Sequence, residues 1–368
     1  MQPLARTLYR AATGAATLAA LPLRPRDGRI AVFYGGARGG DRGGPLVKVS
    51  QLAARFGERR LGFSLLYMLS NAIYLPGRVI GAVRGAGIPV VLNQNGVFYP
   101  AWYPQGWERE NARMAVLHAG ASHVLYQSDF CRRFAEHFLG RRAGPAEILY
   151  NAVDSERFVP RVSGAVSAAG AAAAARPFNF LLTGKIGPGT GYRLLSSIEG
   201  LAAARRGGLD VRLTVAGAIA APVMAAAGAL AERLGVRATV SFLGPYAHVQ
   251  APAIYQAADA YLMTKHNDPC PNVVLEALAC GLPVLYSASG GVPELVGEAG
   301  VGLAVPETFA ETPVPAAGAI AEGMARIIRE QAPMAAAARA RAVARFSLAA
   351  WLDRHEALFK ALLHRHQQ

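Results

Sequence analysis

The chain has 368 residues, enough for two ordinary domains, and it is 52% hydrophobic and 17% charged with 40 glycines, which excludes wholesale disorder. Its three cysteines, Cys131, Cys270 and Cys280, have no paired spacing and no accompanying histidine cluster, so a disulfide framework and a zinc site are excluded and a reducing compartment is expected. A net charge of +14 admits nucleic acid, an anionic membrane surface or phosphorylated substrates as partners; the arginines fall in dispersed pairs such as Arg59/Arg60 and Arg205/Arg206 without interleaved aromatics, which argues against nucleic acid.

Arg6 and Arg10 precede an Ala/Gly/Leu stretch at 11–23 that is interrupted by Thr13, Gly14 and Thr17. It reads as a short surface helix touching an anionic membrane, with no convincing cleavage site of a signal peptide. Residues 30–34 form a strand running into GGARGGDRGGP (35–45), and helical periodicity follows over 46–56. Strand, glycine loop and helix open an α/β unit, with Gly35 and Gly36 as candidates for close approach to phosphate, although such loops occur widely without that role. Further strands are expected at 89–92, at 123–127 before a helix capped by Ser128, and at 148–150.

Residues 161–175 (RVSGAVSAAGAAAAA) are small and low in complexity and read as a linker. Strand and helix then alternate again: strands at 178–182, 211–216, 239–243, 260–263 and 283–286, and helices at 192–205, 224–234, 251–258, 272–279 and 293–296. The apolar run at 215–231 contains Pro222 and is too weakly hydrophobic for a membrane span. A last amphipathic helix over 348–366 carries Trp351, Leu352, Leu358, Phe359 and Leu362. Two such series imply an N-terminal domain at 1–160 and a second at 176–345, each doubly wound, facing a central cleft.

The chemistry concentrates in HNDPCPNVVLEALACGLPVLYSASGGVPELV (266–296). Asp268 and Glu276 are separated by seven residues, and a helix starting at Asn272 would leave the backbone N–H groups of Cys270, Asn272 and Val273 free for an anionic phosphate. Pro271 has no N–H and removes one donor. Glu276, a turn further on, would repel phosphate but accept hydrogen bonds from sugar hydroxyls; a glutamate near a helix start can equally serve the helix dipole alone. Cys270 and Cys280 read as packing residues.

This segment resembles the donor site of retaining GT-B glycosyltransferases of group 1, also called glycosyltransferase family 4, marked by an acid, seven residues, Glu, then Ala, Gly, Pro and Val. FLGPYAHVQAPAIYQAADAYLMT (242–264) resembles the approach to that motif, and LYNAVDSERFVP (149–160) the segment near the end of the first domain. The resemblance implies a GT-B fold with the 346–368 helix returning to the first domain. It implies that Glu276 binds the ribose, that Asp268 stands where the family has Glu facing the transferred sugar, and that Cys270, Asn272 and Val273 hold the diphosphate. Lys185 matches the cation that neutralises the leaving group; its usual lysine partner is replaced by Thr190, with Arg193 available to compensate. Asn95 falls near the family's histidine loop, while Gly35, Gly36, Gly244 and Glu294 border the donor. Lys185 taken alone could also be a solvated loop lysine.

The expected activity is therefore transfer, with retention, from a nucleotide-diphosphate sugar to a saccharide or lipid-linked acceptor, in surface polysaccharide or glycolipid synthesis. No Asp-x-Asp segment occurs, so no metal and no cofactor beyond the donor is expected. A cytoplasmic protein, peripheral on the inner face of the membrane, fits these readings. A degenerate nucleotide-sugar-binding subunit, or an epimerase or phosphorylase on the same fold, remains the alternative.

Overall fold

The structure, a computed structural model, describes residues 3–25, 27–40, 44–161 and 176–365. It divides into two units, one formed by Met1–Tyr150 with Ala349–Gln368 and one by Asn151–Leu348. All of the expected linker after Arg161 lies outside the described residues.

The first unit runs α1 (Pro3–Ala20), β1 (Val32–Phe33), α2 (Gly44–Phe56), β2 (Leu65–Leu69), α3 (Gly77–Gly85), β3 (Val90–Gln94), α4 (Trp107–Gly120), β4 (His123–Tyr126), α5 (Asp129–Leu139) and β5 (Ala146–Ile148). Its strands are parallel and lie in the order β1-β2-β3-β4-β5. The order therefore does not reverse among the described strands of this sheet. Strands β2 and β3 are buried at every position, as a parallel sheet covered on both faces requires. Ser128 caps α5 as its residue type implies, its hydroxyl accepting from the Cys131 amide at 3.0 Å.

Two buried histidines make this unit sensitive to acid. His118 lies 2.7 Å from the Tyr126 hydroxyl, and burial, helped by Arg142, pulls its pKa down to about 4. His355, in the C-terminal helix, donates from Nδ1 to the Trp351 carbonyl at 2.8 Å, leaving Nε2 to accept from Tyr67 at 3.1 Å; burial brings it down to about 3. Both folded values lie below the ordinary 6.5, so the unfolded chain takes up protons first, and stability present at neutral pH is lost as pH falls through 6.5 towards 4. By pH 5 each should cost about 2 kcal/mol. Melting curves between pH 7.5 and 5 should therefore fall steeply for the wild type and less steeply for a His118→Gln/His355→Gln variant; equal slopes would refute the assignment.

The second unit runs β6 (Phe178–Thr183), α6 (Tyr192–Arg206), β7 (Val211–Ala216), α7 (Ala221–Arg233), β8 (Val240–Gly244), α8 (Ala251–Gln256), β9 (Ala260–Met263), α9 (Asn272–Ala279), β10 (Val284–Ser287), α10 (Val292–Val296), β11 (Gly300–Leu303), α11 (Ala317–Arg329) and α12 (Gln331–Arg345). All six strands are parallel, in the order β11-β10-β9-β6-β7-β8. Phe180, Leu182, Leu213, Val215, Leu262 and Leu285 of the sheet pack with Ile198 and Leu201 of α6 and Ile320 and Met324 of α11 into one core. α11 lies so close to α6 that a Cβ on Gly200 would stand 2.2 Å from Ile320.

Helix α13 (Leu348–Arg365) belongs, from Ala349, to the first unit. There Phe359 packs edge-on to Phe56 at 5.1 Å, Glu356 pairs with Arg55 at 2.6 Å and Arg354 with Glu147 at 2.7 Å. Among the described residues no helix is long and apolar enough to cross a membrane.

Candidate active site

Parallel strands all release their chains at the same edge of the sheet, and a ligand crevice opens where the strand order turns back on itself. In the second unit that point lies between β6 and β9, which are neighbours although two strands intervene in sequence. The loops after β6, β8, β9 and β10 all emerge at this edge.

The β6 loop carries Gly184, Lys185 and Ile186, then a 3-10 turn at Pro188–Thr190. Lys185 is exposed. Thr190 is used inside its own turn: its hydroxyl accepts from the Gly187 amide at 3.0 Å. Arg193, in the first turn of α6, is 5% exposed, and one Nη donates to the Thr183 carbonyl at 3.3 Å and lies 3.9 Å from the Met263 sulfur. Its guanidinium thus sits under the ends of β6 and β9. Among the described residues no carboxylate lies within ion-pair distance of it, and its buried Nε has no hydrogen-bond partner. A buried guanidinium without a counter-ion is costly, so this position favours an arriving anion.

The β9 loop is held in shape by its neighbours. Asn267 takes a left-handed φ of +51°, its amide donating to the Ser289 hydroxyl at 3.1 Å and its side chain to the Thr308 carbonyl at 2.9 Å. The Asp268 carbonyl accepts from the Gly291 amide at 2.9 Å. Gly290 has φ +69°, and a Cβ there would stand 2.5 Å from the Asp268 oxygen, so only glycine allows the two loops to meet.

Asp268 is half-buried and pairs with Lys265 at 2.7 Å, an interaction three residues apart that sequence reasoning missed. Its other oxygen accepts from the Cys270 amide at 3.3 Å, so that amide, expected to be open for phosphate, is already engaged by the loop's own carboxylate. The amides of Asn272 and Val273 begin α9 with no acceptor among the described residues. Asn151 braces this helix start, donating to the Cys270 carbonyl and the Asn272 side chain, each at 2.8 Å.

Glu276 lies on the next turn of α9, 13% exposed at its side chain. Its Oε2 accepts from the fully buried Tyr255 at 2.8 Å, and Tyr255 meets the Thr183 hydroxyl at 3.2 Å, which also meets Tyr261 at 2.9 Å. Burial and the nearby Glu276 charge push the Tyr246 and Tyr255 phenols well above their usual range, so both remain protonated. The same causes push the Cys280 thiol up to about 12, which makes it inert. Gly244 closes β8 with φ +73°, its carbonyl accepting from the Gly217 amide at 2.8 Å. Glu294 stands in the first turn of α10, where Arg341 donates to its carbonyl at 2.6 Å.

The remaining candidates belong to the first unit. Gly35 and Gly36 are buried: a Cβ on Gly35 would stand 2.3 Å from the Met68 sulfur, and the Gly36 carbonyl accepts from Tyr9 of α1 at 2.7 Å. Packing therefore accounts for both glycines; residues 41–43 of that loop lie outside the described residues. Asn95 is built into a polar network at the carboxyl edge of β2, β3 and β4. Its amide donates to the Ser70 hydroxyl at 2.9 Å and its Nδ2 to Asn71 at 2.7 Å, while its Oδ1 accepts from Gln127 and Lys48.

Residues 193–344 match the family model described as "Glycosyl transferases group 1". A D-inositol 3-phosphate glycosyltransferase of Actinosynnema mirum is 43% identical over 76 residues, covering 21% of this chain and 18% of that protein. Its counterpart in Mycobacterium tuberculosis strain H37Ra is 36% identical over 89 residues, covering 23% and 18%. The matched stretch thus spans less than a fifth of either relative. Among solved structures, sucrose-phosphate synthase from Thermosynechococcus elongatus superposes with a TM-score of 0.63 at 19% identity, over 86% of this chain and 77% of that one. HepE from Anabaena, in complex with UDP and glucose, gives 0.62 at 22% identity, over 86% and 81%. These likenesses establish the fold as that of GT-B glycosyltransferases.

Proposed function

We propose that this chain, a group 1 glycosyltransferase by residues 193–344, transfers a sugar with retention, and without a metal, from a nucleoside-diphosphate sugar to a saccharide or lipid-linked acceptor. The observation that carries the reading is the division of one sheet edge into two chemistries. Arg193, Lys185 and the Asn272 and Val273 amides favour an anion. Glu276, braced by Tyr255, accepts from hydroxyl groups.

A nucleoside diphosphate presents both features together, a pyrophosphate and a ribose. Its departure leaves new negative charge on oxygen while the sugar becomes oxocarbenium-like, and fixed cations and amides stabilise that charge, each lost donor raising the barrier by about 3 kcal/mol. The UDP and UDP-glucose bound by HepE support a nucleotide-sugar donor here. A phosphate-bearing acceptor fits the net charge of +14 and the name of the inositol 3-phosphate relatives. Leu8 and Leu18, exposed on α1, support a peripheral membrane contact; the cytoplasmic side and a role in surface polysaccharide or glycolipid synthesis are proposed with it.

The Lys265–Asp268 pair and the self-closed turn of Thr190 favour one second reading, a nucleotide-sugar-binding subunit without turnover. Thermal shift against UDP-, GDP- and ADP-sugars tests both. One of them, at a hundredfold its dissociation constant, should add about 2.7 kcal/mol of stability. No shift with any of them would overturn the proposal; a shift with no release of nucleoside diphosphate on any acceptor would select the second reading.

A further inference from the structure

His248 begins the 3-10 turn His248–Gln250 after β8, with its ring 5.8 Å from that of Phe158. Its Nδ1 lies 3.2 Å from Arg157 Nη1, a second Nη of Arg157 bonds to the His248 carbonyl, and its Nε2 stands 3.6 Å from Glu276 Oε1. A guanidinium only donates, so Nδ1 must accept, and the proton of the neutral ring is on Nε2, facing the carboxylate. At 3.6 Å this is an electrostatic approach rather than a hydrogen bond. Arg157 is itself fixed by the Asp154 side chain, which accepts its backbone amide at 3.1 Å. Arg157 also lies outside the residues matched by the family model.

We infer that Arg157 and His248 are positioning residues that aim Glu276 at a vicinal diol. The inference rests on the nucleotide-sugar reading, in which Glu276 meets the ribose, and adds to it the two residues that set the aim of this carboxylate. Tyr255 occupies one lone-pair direction of Oε2, and the Nε2–H of His248 faces Oε1. The carboxylate is thus held by a hydrogen bond at Oε2 and by an electrostatic approach at Oε1, and both oxygens keep accepting capacity for the two hydroxyls of a ribose. Arg157 acts at one remove: by holding the ring in the Nε2–H tautomer it keeps a donor, and not a lone pair, opposite Glu276.

The test uses the full chain and calorimetry. UDP, ADP and GDP are titrated first, and the tightest binder is compared with its 2′,3′-dideoxy counterpart. His248→Phe and Arg157→Met should each weaken the ribonucleotide about tenfold and leave the dideoxy compound unchanged, since the interaction they organise is absent from it. His248→Gln, whose amide both accepts and donates, should recover most of the loss. Variants that bind the ribonucleotide like the wild type, or that lose equal affinity for both compounds while melting normally, would overturn the inference. A wild-type chain that binds none of the three would instead remove the nucleotide reading beneath it.

Discussion

Glu276→Ala should abolish detectable transfer and weaken nucleotide binding at least a hundredfold. The carboxylate is only 13% exposed and its position is set by Tyr255 at 2.8 Å, so a bound ribose would meet it with little reorganisation. Hydrogen bonds to a charged group contribute about 1.5 kcal/mol or more each, and losing two gives the hundredfold figure. Glu276→Gln keeps the shape and one accepting oxygen and should fall between wild type and Ala. The stability effect should be smaller, because the Tyr255 hydroxyl keeps the Thr183 hydroxyl at 3.2 Å when its carboxylate partner is removed. Calorimetry with the nucleotide, an assay for released nucleoside diphosphate and a melting curve on the same preparation separate these effects. Unchanged turnover in Glu276→Ala would eliminate this crevice as the donor site.

The second sheet was legible because its strands announce themselves twice. β7 (VRLTVA) alternates and β9 (AYLM) is an apolar run; they are flanked by Asp210, Gly217 and Asp259, and both appear at the bounds their residues imply, as does α9. β2 (LLYML) is fully buried, but no glycine loop follows it, and it was missed together with α3, whose short apolar stripe of Val79, Ile80 and Val83 is diluted by Gly77, Gly81 and Gly85. α4 mixes Glu, Arg and Ala without a clean apolar stripe, α12 is mostly Ala and Arg, and β11 (GVGL) has too few side chains to signal a strand.

In the site, the spacing of Asp268 and Glu276 is a local property and could be read directly. The Lys265–Asp268 pair is not, because it depends on the left-handed turn at Asn267 and on the room left by Gly290. Arg157 and His248 are 91 residues apart, and only the fold brings them together. For Gly35 and Gly36 the pattern pointed to phosphate; the closeness of Met68 and Tyr9 gives packing as a sufficient reason for both glycines, and it comes from residues that a local pattern does not include.

Arg193→Met should move function and stability in different directions, which distinguishes an anion-binding arginine from a structural one. A structural arginine satisfied by carboxylates destabilises the fold when removed. Arg193 has no carboxylate partner among the described residues, its Nε is unsatisfied, and its one backbone acceptor, Thr183, lies at 3.3 Å. Methionine fills a comparable volume without the desolvation cost, so the free protein should melt at the same temperature or higher. Transfer should nevertheless fall by about two to three orders of magnitude, the usual consequence of removing one donor aimed at developing charge. Lys185→Met, at an exposed position, should cost less, about tenfold, and its effect should shrink as salt is added, because exposed charges are screened and buried ones are not. The two responses together identify which cation sits closest to the leaving group. If Arg193→Met lowered the melting temperature by many degrees and left transfer intact, the guanidinium would be part of the core, and Lys185 with the start of α9 would have to neutralise the diphosphate alone.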